Sequence, residues 1–278
     1  MKSACEFFGG WPCAPLDFGR LHIERLENEN RLPRILLPVT ACLICLEKRL
    51  VLIDAGFDPG LEGRVERVKW HRPELSIEEQ LRDYQLGADD VTDVVLTHLH
   101  DDHASGLLDR ASGLSLYPNA LFHLQDVALF KGFERVAMGG ERFVSGELLE
   151  FLSDSDRTRT YHGDWRLDEL QILHTGGHTP GHQIVYAGKE TLQRGSKGKI
   201  EIAVQAQSET QAATPLEGLF FAGDLVSMRA CLDPTFRTSS DVDPETATLR
   251  RQELARLGKH FFLYHAQNAT RFYRHEMT

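Results

Sequence analysis

No apolar run in these 278 residues approaches the roughly 20 that a membrane-crossing helix needs. The longest, Ile35 to Leu37 and Ala41 to Leu46, are strand-sized. The opening Met1-Lys2-Ser3-Ala4-Cys5-Glu6 lacks the apolar centre of a secretory signal, so the expectation is a cytoplasmic protein with no membrane partner. Positive charge is also scarce. Lys and Arg number 31 against 41 Asp and Glu, a net charge of -10. Gripping nucleic-acid phosphates requires a basic footprint, so nucleic acid is not an expected partner. The cysteines are few and odd in number, at Cys5, Cys13, Cys42, Cys45 and Cys231, which is no disulfide framework. Cys42 and Cys45 form a Cys-x-x-Cys, yet they sit inside an apolar run and are expected as core cysteines. No internal repeat is visible.

What is present, 41% hydrophobic and 26% charged residues, suits an ordinary globular chain, expected as one domain over 1–278. Strands are expected at 35–37, 41–46 and 50–53, the last ending in the turn Asp54-Ala55-Gly56. Ser76 caps a helix expected to run to Leu86, with Glu78 and Glu79 in its first turn. A strand at 91–96 then delivers the chain into Thr97, and short helices are expected at 126–131 and 146–152. The second half repeats the style, with strands at 170–173, 183–186, 219–221 and 261–264. Before the last of these, Asp243 caps a helix with Pro244 at its first position. The polar stretch 191–218 reads as a surface hairpin or loop insertion, with an edge strand at 200–204. Strands with helices between them indicate a layered α/β fold.

Four strands end in loops carrying His or Asp, at 98–103, 178, 224 and 265. Three of the thirteen histidines fall within Thr97-His98-Leu99-His100-Asp101-Asp102-His103. His98 and His100 are two apart, so on extended backbone both imidazoles face one side and can share an ion. Asp102 and His103 diverge and can reach a second ion. Imidazole and carboxylate donors suit zinc, iron, manganese or cobalt. A metal site needs about three protein ligands per ion, so other strand ends must contribute. His178 and His182 lie in a tight Gly-His-Thr-Pro-Gly-His loop, and Asp224 and His265 each end a strand.

This ordered series resembles the metallo-β-lactamase-fold hydrolase superfamily, and within it most closely the N-acyl homoserine lactonases and related lactonases. The resemblance spans residues 35 to 268. It implies a four-layer αββα sandwich and two divalent ions, Zn2+ by preference, with Fe, Mn or Co also accepted. It assigns His98, His100 and His178 to one ion, Asp102, His103 and His265 to the other, and Asp224 as the bridge. It makes Asp54 a supporting residue behind the ligands, and His182 a packing or orienting one. The implied reaction is opening of a lactone or similar small ester by a hydroxide bridging the ions, with Asp102 as general acid. Organophosphate or thioester hydrolysis, or an iron-dependent persulfide dioxygenase, would be other chemistries on the same scaffold.

Two departures bear on substrate. Ser227 stands where those lactonases carry a tyrosine, and Asp101 stands where they carry an apolar residue. Ser227 is a candidate for part of the tyrosine's role. Phe7, Phe8, Trp11, Met228 and Phe236 are candidates to line a substrate mouth, and Arg229 and Arg237 to meet an anion. The expected partner is a small molecule, and a homodimer is compatible with the sequence.

Overall fold

A computed structural model gives the fold and describes residues 6–8, 11–23, 26–27, 30–31, 35–58, 68–71, 76–138, 144–202, 216–233, 235–266 and 272–275. Two mixed sheets dominate these residues. The first runs in the order Glu6–Phe8, Trp11–Ile23, Ile35–Cys45, Leu50–Ile53, Asp93–Val95, Leu121–Gln125, Thr158–Tyr161, with Val68–His71 also paired to Trp11–Ile23. The second runs Trp165–Leu167, Leu170–His174, Gln183–Ala187, Leu216–Phe221, Gly258–Phe262, Phe272–Arg274.

Alternation along the second sheet explains the layering. Ile172, Val185, Leu219 and Phe221 join the core shared with Val51, Ile53 and Val95 of the first sheet. The residues between them, Leu173, Ile184, Tyr186 and Phe220, turn to the opposite face and meet Ala247, Leu254 and Leu257. Those three lie on the long helix α5, Pro244–Leu257. Three further helices cover the first sheet: α1 (Ile77–Asp83) through Leu81, α3 (Asp126–Ala137) through Ala128, and α4 (Gly146–Asp154) through Leu148, Leu149 and Leu152. The order helix–sheet–sheet–helix is the expected αββα sandwich.

Local signals hold at the helix starts. Ser76 and Glu79 form a reciprocal capping box, and Asp243 accepts the Thr246 amide ahead of Pro244. Boundaries differ where tertiary contacts decide. The two expected strands at 35–37 and 41–46 are one strand through Pro38. Helix α3 runs on to Ala137, and α1 stops at Asp83 rather than Leu86. The last expected strand lies earlier, at Gly258–Phe262, which releases Tyr264 and His265 into a turn. The strand Trp11–Ile23 was not expected, because Pro12, Pro15 and Gly19 mask its pattern. Cys42 and Cys45 are buried in the core, as expected. In the polar segment, Leu192–Arg194 pairs antiparallel with Ile200–Ile202; residues 203–215 lie outside the described residues.

Candidate metal centre

The strand Asp93–Val95 runs parallel between Leu50–Ile53 and Leu121–Gln125 and ends where the histidine run begins. Gln183 at the start of a second-sheet strand fixes this end. Its amide bonds the Thr97 carbonyl at 2.8 Å, and its side chain donates to the Leu96 carbonyl at 2.8 Å. Extended backbone continues to His100, which caps one helical turn, α2, Asp101–Ala104. The change from extended to helical is what splits the run. His98 and His100 stay on one side, while Asp102 and His103 rotate to another.

Two donor groups result, each with ligand atoms mutually within 4.8 Å: His98, His100, His178 and Asp224 in one, Asp102, His103 and His265 in the other. In the first, Nδ1 of His100 lies 3.0 Å from Nε2 of His98 and 3.1 Å from Nε2 of His178. Asp224 touches both groups. Its Oδ2 is 3.3 Å from His178 Nε2, and its Oδ1 is 3.1 Å from His103 Nε2 and 3.5 Å from His265 Nε2.

Four of the five imidazoles are aimed by a partner on the other nitrogen, the usual arrangement behind metal-binding histidines. Asp54 accepts the Thr97 amide and hydroxyl at 2.7 and 2.8 Å and takes His103 Nδ1 at 2.9 Å. Because the Thr97 hydroxyl donates to Asp54, it can only accept from His98 Nδ1, 3.0 Å away, leaving His98 Nε2 with its lone pair toward the centre. His265 Nδ1 donates to the Pro38 carbonyl at 2.8 Å. His178 Nδ1 bonds Asp241 at 3.1 Å. Pro38 lies in a first-sheet strand, Asp54 and Thr97 follow first-sheet strands, and Asp241 lies in the loop before α5, so the first sheet and that loop together set the geometry.

Electrostatics agree with a cation-binding role. Burial first, and then the neighbouring imidazoles, hold His98 and His100 far below the usual histidine range, so both are neutral donors. Burial alone would lower His103 and His265 and raise Asp224. The attraction between these carboxylate and imidazole groups outweighs it, pushing both histidines up and Asp224 well down. The field that favours a proton there also favours a metal ion.

His103 Nε2 and Asp224 Oδ1 are buried, only 3.1 Å apart, and neither makes a hydrogen bond of good geometry. Buried polar atoms left this way are costly unless something else satisfies them. The donor set and these two atoms fit divalent metal ions.

The remaining candidates fall as follows. His182 is fully buried; its Nδ1 meets the Thr175 hydroxyl at 2.8 Å, and its ring lies 5.3 Å from that of His98. Ser227 is buried, takes the His265 amide on its carbonyl at 2.8 Å, and bonds Cys231 through its side chain. Asp101 is buried, and burial together with Asp102 pushes its carboxyl up to about 6. Met228 and Phe236 pack against the second core, and Arg229 lies over the Tyr273 ring. The side chains of Phe7, Phe8 and Trp11 lie outside the described residues. A cleft of 320 Å³ opens beside His100, lined by Leu99, Arg135, Val144, Pro180 and Val242 among others, and by none of the expected mouth residues.

Sequence reasoning missed three supporting residues. Arg251 and Asp241 stand behind His178. Tyr264 stacks on His103 with centroids 4.0 Å apart, and its hydroxyl donates to the Asp102 carbonyl at 3.2 Å.

Two mixed sheets sandwiched between helices, with two imidazole–carboxylate groups where strands of both sheets end, define an αββα protein with a candidate metal centre. The chain belongs to the metallo-beta-lactamase superfamily, whose family model matches residues 34–192. A curated relative, the N-acyl homoserine lactonase AiiB of Rhizobium rhizogenes, is 38% identical over 77 residues, covering 24% of this chain and 28% of that protein. The chain therefore spans under a third of that relative in the match. Among solved structures, a probable metal-dependent hydrolase from Staphylococcus aureus superposes with a TM-score of 0.67 at 20% identity, covering 95% of this chain and 92% of the other. AidC, a dizinc quorum-quenching lactonase, superposes with a TM-score of 0.64 at 19% identity, covering 97% and 95%. At such identity these structures speak for the fold.

Proposed function

We propose that the chain is a dinuclear metallohydrolase that opens a lactone or a similar small ester. The observation that carries this is Asp224, which turns one carboxylate oxygen to each donor group. His98, His100 and His178 would hold one ion, and Asp102, His103 and His265 the other, with Asp224 between. When bound, two divalent ions, Zn2+ by preference, supply an activated water and polarise the carbonyl.

The rest is the work of the chain's own residues. Asp54, Thr97, Asp241 and the Pro38 carbonyl hold four imidazoles with the correct nitrogen facing inward. The Asp102 carboxyl, with about a sixth of its side chain exposed, stands where it can hand a proton to the leaving alkoxide. Ser227 takes part through His265, whose amide it fixes, rather than at the carbonyl. His182 packs behind His98 and keeps that ring in place. The chain acts as one domain, in the cytoplasm, on a small molecule; no helix among the described residues is long and apolar enough to cross a membrane.

A panel of lactones, thioesters, phosphotriesters and β-lactams tests the reading, with oxygen uptake followed in parallel. Turnover of lactones or simple esters above the other classes supports it. Oxygen consumption by an iron-loaded protein with no ester hydrolysis overturns it.

A further inference from the structure

Tyr264 meets every member of the second donor group, Asp102, His103 and His265. Its ring lies flat on His103, with centroids 4.0 Å apart and planes 16° apart. Its hydroxyl donates to the Asp102 carbonyl at 3.2 Å. It precedes His265 in the chain, and those two rings meet edge to face at 5.6 Å.

The phenol is itself held on several sides. It is 3% exposed, and the Gly56 amide is hydrogen-bonded to its hydroxyl. The neighbouring Ala55 amide bonds the His103 carbonyl at 2.6 Å, so the turn at 54–56 and α2 close around one ring. The Tyr264 carbonyl accepts the buried Thr40 hydroxyl at 2.8 Å. Two residues away on the same strand, the Pro38 carbonyl takes His265 Nδ1 at 2.8 Å.

The first donor group leans on other residues. His178 is bonded to Asp241 at 3.1 Å with Arg251 behind it, and His98 to the Thr97 hydroxyl at 3.0 Å. Asp54 serves both groups, through Thr97 on one side and His103 on the other. Its bond to Nδ1 fixes where the His103 ring points but leaves the ring free to swing about that bond. A second ring stacked flat on its face removes the swing. The bond to the Asp102 carbonyl holds the first turn of α2, and with it the point from which the Asp102 carboxylate projects.

We propose that Tyr264 is a positioning residue for the second metal ion alone: its ring sets the plane of His103 and its hydroxyl the place of Asp102, while Asp241 and Arg251 tune the first ion. The two metal positions then have separate supports, and either can be weakened without the other. This rests on the dinuclear reading above and adds to it how each position is tuned.

The test titrates Co2+ into the metal-free full chain as wild type, Tyr264→Leu, Tyr264→Phe and Asp241→Asn. Calorimetry gives the affinities, the visible absorption of the bound ion reports its ligand geometry, and melts of the metal-free proteins run alongside. Wild type is expected to bind two ions in two steps. Tyr264→Leu weakens one step about 10–100-fold, as loss of a residue behind metal ligands does, and leaves the other unchanged. Tyr264→Phe keeps the ring and loses one hydrogen bond, so the same step is only about 2–10-fold weaker than wild type. Asp241→Asn weakens the other step, and the absorption band lost in Tyr264→Leu is the one it retains.

Both steps weakened alike in Tyr264→Leu, or both unchanged while its metal-free melting point falls, marks a residue that only fills space; either result overturns the proposal and leaves the dinuclear reading standing. One ion per wild-type chain at saturating Co2+ ends the dinuclear reading and the proposal with it. Should Tyr264→Leu fail to fold, Tyr264→Phe decides. One step weakened about 2–10-fold supports the proposal, and wild-type affinity at both steps overturns it.

Discussion

Arg251 is 2% exposed and holds both oxygens of Asp241, at 2.8 and 3.0 Å. The same carboxylate reaches His178 Nδ1, so a buried guanidinium on α5 governs the aim of an imidazole on a loop over sixty residues earlier. Burial alone would raise the Asp241 carboxyl, but the His178 and Arg251 bonds hold it below the usual range. Backbone bonds from Val242 to His178 and from Asp243 to Gly177 lock the two loops together.

Arg251→Met should therefore cost about 3–5 kcal/mol, because it strands a buried carboxylate. Asp241→Asn keeps the shape but leaves the buried Arg251 charge without its carboxylate, so it should lower fold stability and, in addition, lower metal affinity about 10–100-fold. Chemical denaturation and metal titration separate the two effects. Equal stability of Arg251→Met and wild type would contradict the arrangement.

Asp54 sits at φ 58°, in the left-handed region, which asparagine also tolerates. Asp54→Asn should thus fold, yet lose a charge partner for His103 and weaken the site by about 10–100-fold in metal affinity. Normal metal affinity in that variant would show that His103 is oriented by something else.

Gly223, at φ 48°, precedes Asp224, the aspartate proposed as the bridge, and a Cβ there would lie 2.7 Å from the Thr97 hydroxyl and 2.8 Å from His182 Nε2. Gly223→Ala is expected to cost at least about 1–3 kcal/mol from backbone strain, with the clash added. It should also displace Asp224, so a thermal melt and a metal count should both fall. A variant with wild-type melting and full metal content would contradict this placement.

Away from the metal centre, Asp93 is buried and bonded to His123 at 2.8 Å and to Arg49 twice at 3.0 Å. Burial would raise it, but these bonds and that from Thr92 depress it. A carboxyl depressed on folding stabilises the protein above its unfolded pKa of about 3.9, and that contribution is lost as pH falls through the folded value. The stability gap between wild type and Asp93→Asn should be full near neutral pH and narrow below about pH 4. A gap independent of pH would contradict it.

The candidate centre was legible in sequence to the extent that its donor residues cluster locally or close apolar strands. His98 to His103 point to a metal because three imidazoles in six residues have no ordinary packing use. Asp224 and His265 carry no such local signal, and only the ordered motif series of the resemblance marked them out. Asp241 and Arg251 escaped because their roles depend on where α5 docks, which no local spacing encodes. Tyr264 read as the end of an apolar strand, and its stacking on His103 follows from the strand stopping at Phe262.

Metal content per chain, measured by plasma mass spectrometry on wild type and Asp224→Ala, tests the central claim most directly. Two ions per wild-type chain, falling to one or fewer in Asp224→Ala, is the expected result. One ion per wild-type chain at saturating metal, or two retained in Asp224→Ala, would contradict a dinuclear centre joined by that carboxylate.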